Sequence, residues 1–408
     1  MQSFLSRVFG TKLERDRLPR GKAKPGRRLG LEALEQRMLC SVGEEFHVNT
    51  TTTGDQWRPD VACQPIPNGR CVVVWVDYGL TPPNIRGQIY DGNGVTIRSI
   101  RLPTITGSKG EPSVAMDAQG NFVVVWTQYV NMRQDVMAWR YTADGGRVGL
   151  VIPVATDARP EYSPSVAMDS YGNFVVSYTV KRFVGGGSTL DIHASMYPSS
   201  GMLPDSSFVV AKEARNETNS VVARSPDGRF SIAYEIEGFF SSSDSSDIVL
   251  NQYAANGALL TVHDIDFPTF GSNHHPDVAM DSDGNTIVVF ETRYSGTWIG
   301  NIFARKVDRN GNKGSLMDVG DTRGWAQPTV AMDLSDGDFV VAYERGDRVV
   351  VGEMNSTGTV KSEVRLADDT ELAALSINAS GGYFLAYVGE EYIDYWNTDI
   401  FARRGLLV

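Results

Sequence analysis

The sequence predicts an all-β chain folded as a seven-bladed β-propeller of four-stranded blades. Three observations predict it: a unit of about 50 residues can be read seven times, each copy places an aromatic six residues after a turn glycine, and each copy has room for four short strands.

The unit is clearest in Pro112-Ser113-Val114-Ala115-Met116-Asp117-Ala118-Gln119-Gly120-Asn121-Phe122-Val123-Val124-Val125-Trp126, where two apolar runs flank a glycine-containing turn, the signature of a β-hairpin. Aligning the copies on the turn glycine gives Gly69, Gly120, Gly172, Gly228, Gly284, Gly337 and Gly381. The aromatics are then Trp75, Trp126, Tyr178, Tyr234, Phe290, Tyr343 and Tyr387. A three-residue hairpin connection needs a left-handed residue at its end, where glycine carries no Cβ penalty. The aspartate ahead of the turn, as at Asp117, Asp169 and Asp281, can accept from turn amides. Asp281-Ser282-Asp283-Gly284-Asn285 resembles the start of a calcium loop, but Thr292 stands where the bidentate acid belongs, so a plain turn is expected and no metal or other cofactor is assigned.

A third strand follows each hairpin, opened by Asn84-Ile85, Asp135-Val136, Asp191-Ile192, Asp247-Ile248, Asn301-Ile302, the departing Arg348-Val349, and Asp399-Ile400. Turns such as Asp144-Gly145-Gly146 and Asn310-Gly311-Asn312 then lead to a fourth, edge-like strand. The last unit ends just after its third strand. The segment Glu44-Glu45-Phe46-His47-Val48-Asn49 ahead of the first hairpin is expected to supply the missing strand and close the ring, removing an edge that would invite aggregation. The shortest interval, 44 residues between Gly337 and Gly381, leaves the sixth blade the least room.

Two regions are therefore expected, a basic segment 1–43 and a propeller over 44–408. Residues 1–40 hold ten Lys/Arg against four Asp/Glu, so the remaining 368 residues carry a net −17 against −11 for the whole chain. An acidic body without basic patches argues against a nucleic-acid partner, and no apolar run is long enough for a membrane span. Glu32 and Glu35 interrupt the one candidate signal segment, Leu29 to Leu39.

Arg28-Leu29-Gly30-Leu31-Glu32-Ala33-Leu34-Glu35-Gln36-Arg37-Met38-Leu39-Cys40-Ser41 resembles the planctomycete-type LEPR-XLL segment, a Leu-Glu-Pro-Arg-x-Leu-Leu motif, with Gln36 in place of its Pro and Cys40 in place of its last Leu. The repeat text, Val-Ala-Met-Asp-x-x-Gly-Asn-Phe-Val-Val, resembles repeats of large bacterial surface proteins over residues 44–408. These resemblances imply an exported, extracellular or cell-surface propeller. A short amphipathic helix from Leu31 to Leu39 behind a basic tail is the alternative for the first.

Cys63 and Cys71 flank the first hairpin turn and face each other if it is symmetric; a disulfide and two reduced core thiols both fit, and Cys40 is left over. The five histidines show no metal-ligand spacing and no nucleophile motif is present, so no catalytic residue is assigned. Connections between second and third strands, and between blades, open on one face of a propeller. They carry Trp57, Tyr78, Tyr129, Tyr162, Phe239, Phe240, Phe270, His274, His275, Tyr294, Trp298, Trp325, Tyr392, Tyr395 and Trp396, with acids Asp77, Glu291, Glu344, Glu390 and Glu391 nearby. Stiff aromatic surface of this kind suits protein or glycan contact, and many of these side chains are also expected to cover blade interfaces. The expected function is a non-enzymatic recognition or adhesion module for protein or glycan; the alternative is a glycan-active hydrolase or lyase using loop carboxylates.

Overall fold

The computed structural model describes residues 42–407 apart from 104–106, 238–245, 267–270, 295, 367–369 and 391–397. Segment 1–41, with Cys40 and the LEPR-XLL-like run, lies outside the described residues, as do Phe239, Phe240, Phe270, Tyr392, Tyr395, Trp396, Glu391 and the Glu390 side chain.

Seven four-stranded antiparallel sheets form the blades of a seven-bladed β-propeller, six of them built from four strands consecutive in sequence. The first strands are Gln56–Cys63, Ser108–Met116, Glu161–Met168, Glu217–Arg224, Ser272–Met280, Thr329–Met332 and Thr370–Ile377, and together they surround the central channel. The sixth blade keeps four strands, with its first shortened to the four residues Thr329–Met332.

Closure takes the expected form. Phe46–His47 pairs with the last strand, opposite Ala402 and Phe401. Val48 N donates to Ile400 O at 2.8 Å, and the Asn49 side chain bridges Asp399 and the Ile400 amide.

The second strands are apolar on both faces, as in Val72, Val73, Val74, Trp75 and Val76, because a blade inside a ring is covered on both sides. The core is accordingly seven hydrophobic clusters, each drawn from two consecutive blades, and the cluster between the seventh and first blades includes Val48. All seven fixed-offset aromatics are buried in these interfaces.

The turn motif has a double purpose. Asp117 Oδ1 accepts from the Gln119 and Asn121 amides, both at 2.8 Å, and Oδ2 from Asn121 Nδ2; Asn121 Oδ1 then accepts from Ala143 N, tying the first turn of the blade to its second. The same arrangement recurs at Asp169 and at Asp281, which forms a plain turn. Gly172, at φ +85°, leaves the Asp117 carboxylate of the preceding blade only 3.2 Å from where a Cβ would sit. The first copy departs: Asn68 at φ 51°, not Gly69, takes the left-handed conformation, because its wider turn closes from Gln64 to Arg70. Directly behind that turn Cys63 and Cys71 stand opposite each other with sulfurs 2.03 Å apart, a disulfide.

Candidate functional site

Six of the first strands carry a β-bulge or its counterpart where they reach the channel. In the first blade Trp57 pairs with Val76 and Asp60 with Val74, so Arg58 and Pro59 together face the single residue Trp75. The same register shift recurs at Gly110/Ser113, Tyr162/Ser165, Thr218/Val221, His274/Asp277 and Glu371/Ala374. Each time it falls opposite the fixed-offset aromatic. Two regularities of the sequence, the Pro-x-Val-Ala start and the aromatic after the glycine, thus mark one place in the fold. Proline suits the second bulge position because it has no N–H to leave unpaired.

The first bulge residue has a left-handed backbone in five blades: Arg58 (φ 54°), Glu111 (51°), Ser163 (49°), Asn219 (50°) and His275 (50°). For residues other than glycine this conformation costs about 1 kcal/mol each. Glycine would remove the cost, yet every one of these positions holds a polar or charged side chain. With Gln327 of the sixth blade they line a cavity of about 370 Å³ at the channel. Two residues further on, a belt runs between blades. Asp60 Oδ2 accepts from Val114 N at 2.7 Å, Ser113 Oγ from Val166 N, Ser165 Oγ from Val222 N, and Asp277 Oδ2 from Val330 N at 2.8 Å. Enclosure in the channel wall pushes the Asp60 and Asp277 carboxyls up to about 6, although backbone amides hold both back.

The carboxylates around this cavity are heavily engaged. Glu111 takes Arg58 on one oxygen (3.3 Å), and Thr127 Oγ1 (2.6 Å) and Ser163 N (2.8 Å) on the other. Glu235 accepts from Asn219 Nδ2 and His275 N and lies 3.4 Å from His274 Nδ1; despite its burial, these donors hold its pKa below the usual range. Glu291 is fully buried, receives Ala326 N and Arg293, and lies 3.6 Å from His275 Nδ1. The three expected loop acids that lie among the described residues are not open loop carboxylates. Asp77 is paired with Arg86, and Asp77, Glu291 and Glu344 are all buried in the blades.

The aromatics separate into groups. Trp298 and Trp325 stand clear of the fold at 81% and 64% exposed, joined through Gly324 N to Trp298 O. Arg293 stacks on the Trp325 ring, and His274 and His275 lie 6.5 and 6.4 Å from it, linking it to the channel mouth. Tyr78 and Tyr129 line a second cavity between the first two blades. Trp57 packs on the core between the seventh and first blades, and Tyr162 and Tyr294 are half-buried. Of the bulge residues, sequence reading placed His275 on the loop face and missed Arg58, Glu111, Ser163 and Asn219. Their signal is the proline that follows Arg58, Glu111, Ser163 and His275, replaced by Ser220 after Asn219.

Fold and site together define a β-propeller with a polar, tryptophan-flanked channel mouth. No family model matches the chain, and no curated protein does. Among solved structures it is similar to the α-L-arabinofuranosidase Arb93A of Fusarium graminearum (TM-score 0.52, 10% identity, covering 90% of this chain and 98% of that one). It is also similar to an ulvan lyase bound to -[GlcA(1-4)Rha3S]- (0.51, 9%, 88% and 95%) and to the Dos1 propeller (0.50, 9%, 90% and 95%). At such identities the likeness is one of fold. No helix among the described residues is long and apolar enough to cross a membrane.

Proposed function

We propose that this chain is an exported, non-enzymatic recognition module that binds a glycan at the mouth of its central channel. One observation carries the reading: five blades hold a non-glycine residue in a left-handed conformation, and the side chains so aimed form a mixed donor and acceptor ring beside exposed Trp325. A polyhydroxylated ligand needs alternating donors and acceptors for its hydroxyls and a flat apolar surface for its ring face. The commitment of Glu111, Glu235, Asp60 and Asp277 to amide, hydroxyl or side-chain donors speaks against these groups as acid and base. Export is supported by the Cys63–Cys71 disulfide and by the LEPR-XLL resemblance. Glycan-array binding followed by calorimetry on the full chain tests the reading. Trp325→Ala should weaken binding about tenfold with an unchanged melting temperature. No glycan bound, or a protein captured at this face instead, refutes it.

A hydrolase or lyase is the second reading, favoured by the two histidine–glutamate neighbours at the rim, His274 with Glu235 and His275 with Glu291. The glycan-active enzymes among the fold neighbours agree with that ligand class. Release of reducing ends or of an unsaturated product from a polysaccharide panel, abolished by His275→Ala, would replace the first reading with this one.

A further inference from the structure

Two rings of side chains approach the loop face, and their charges differ from blade to blade. At the first bulge position stand Arg58, Glu111, Ser163, Asn219, His275 and Gln327. Two residues earlier stand Gln56, Lys109, Glu161, Glu217, Asn273, Trp325 and, in the seventh blade, Thr370. The first ring has one Lys or Arg and so does the second. These two, Arg58 and Lys109, come from different blades and line the same cavity of about 210 Å³, between the first and second blades.

That cavity joins the channel mouth, since Arg58 and Glu111 line both. Its charge is set by two cations and one carboxylate. Both Glu111 oxygens are already occupied, by Arg58 on one side and by Thr127 and Ser163 on the other. The Arg58 side chain is 52% exposed and gives one nitrogen to Glu111, leaving most of its donor fork toward solvent. Lys109 is buried to 2% exposure, and its backbone amide fastens Pro83 and the loop that carries Tyr78. Burial and the nearby Arg101 charge pull the Lys109 pKa down. Gly110 lets Tyr129 lie against the strand, because a Cβ there would approach the ring to 3.3 Å. The result is a recess that gathers two cationic side chains and two phenols on a body of strongly negative net charge.

We infer that this recess is a subsite for the anionic group of an acidic sugar, with Arg58 and Lys109 as the charged donors and the Tyr78 and Tyr129 hydroxyls beside them. The inference rests on the glycan reading above and narrows it to acidic glycans. Arginine offers a planar fork matched to carboxylate or sulfate oxygens, and a charged hydrogen bond is worth about ten times or more in affinity.

The test uses D-glucuronate, its neutral methyl ester and glucose 6-sulfate as probes on the full chain, followed by NMR titration. Free glucuronate should bind about tenfold or more tighter than the ester. Lys109→Gln and Arg58→Gln should each bring that ratio toward one. Both substitutions install residues the fold already uses at equivalent positions, Gln56 and Gln327, and unchanged melting confirms folding. A sulfate ester that binds as tightly as glucuronate identifies a general anion subsite, whereas discrimination against it identifies a carboxylate subsite; either supports the inference. Equal binding of acid and ester, or a preference that survives both substitutions, overturns it. If acid and ester are distinguished while the array binds no glycan, the glycan reading falls and the anion subsite stands.

Discussion

The two ends of the inner hairpin behave oppositely. At the turn end, Asp-x-x-Gly-Asn recurs unchanged at Asp117, Asp169 and Asp281, each time with the aspartate closing its own turn and the asparagine reaching the neighbouring turn of the blade. At the bulge end, the backbone repeats with the same register shift and nearly the same φ, but the side chain changes each time: Arg58, Glu111, Ser163, Asn219, His275. The propeller repeats its architecture at one end and varies its chemistry at the other. That is what a scaffold for asymmetric recognition requires, since seven identical side chains could bind only a symmetric ligand.

The comparison breaks first at Asp169. This carboxylate serves its own turn and also pairs at 3.1 Å with Arg224, which the fourth blade carries where the second, third, fifth and sixth have Met. Both side chains are buried, so Asp169→Ala leaves an uncompensated charge and should cost about 3–5 kcal/mol in the denaturation midpoint. Asp117→Ala, which lacks such a partner, should cost only about 1–2 kcal/mol.

Between the two ends, the belt predicts a pH effect. Asp60 and Asp277 titrate near 6 in the fold and near 4 when unfolded, so the native state binds more protons in that window. Their share of stability must therefore rise as pH falls from about 7 to about 4. Replacing both by Asn keeps an acceptor for the Val114 and Val330 amides and removes the titration. Melting curves at pH 5 and 7.5 should then differ less than in the parent, by about 1–3 kcal/mol for each aspartate.

The smallest effect sharpens the contrast. Ser163→Gly relieves left-handed strain and should change stability by less than about 1 kcal/mol, with an increase as the expected sign, while lowering glycan affinity. A large loss of stability would make this residue structural and erase the distinction between the two ends.

Blade number, the turn glycines, the buried aromatics and the closing segment were legible in the sequence because each obeys a local rule that repeats. Glycine answers a backbone need within three residues, and a period of about 50 residues survives loop variation. The site was not legible for the opposite reason. Glu291 sits in a loop-adjacent stretch of sequence yet is fully buried. Nothing local distinguishes Trp325, 64% exposed, from half-buried Trp57.

By itself the sequence determined how many blades there are, where each turns and which aromatic fills each interface, since these follow from spacing and side-chain size. Only the tertiary structure decided that the residue before each repeated proline faces the channel, and that Arg58 and Lys109 share one recess. Closing the ring brings first strands from different repeats side by side, and no periodicity along the chain records which charges then meet.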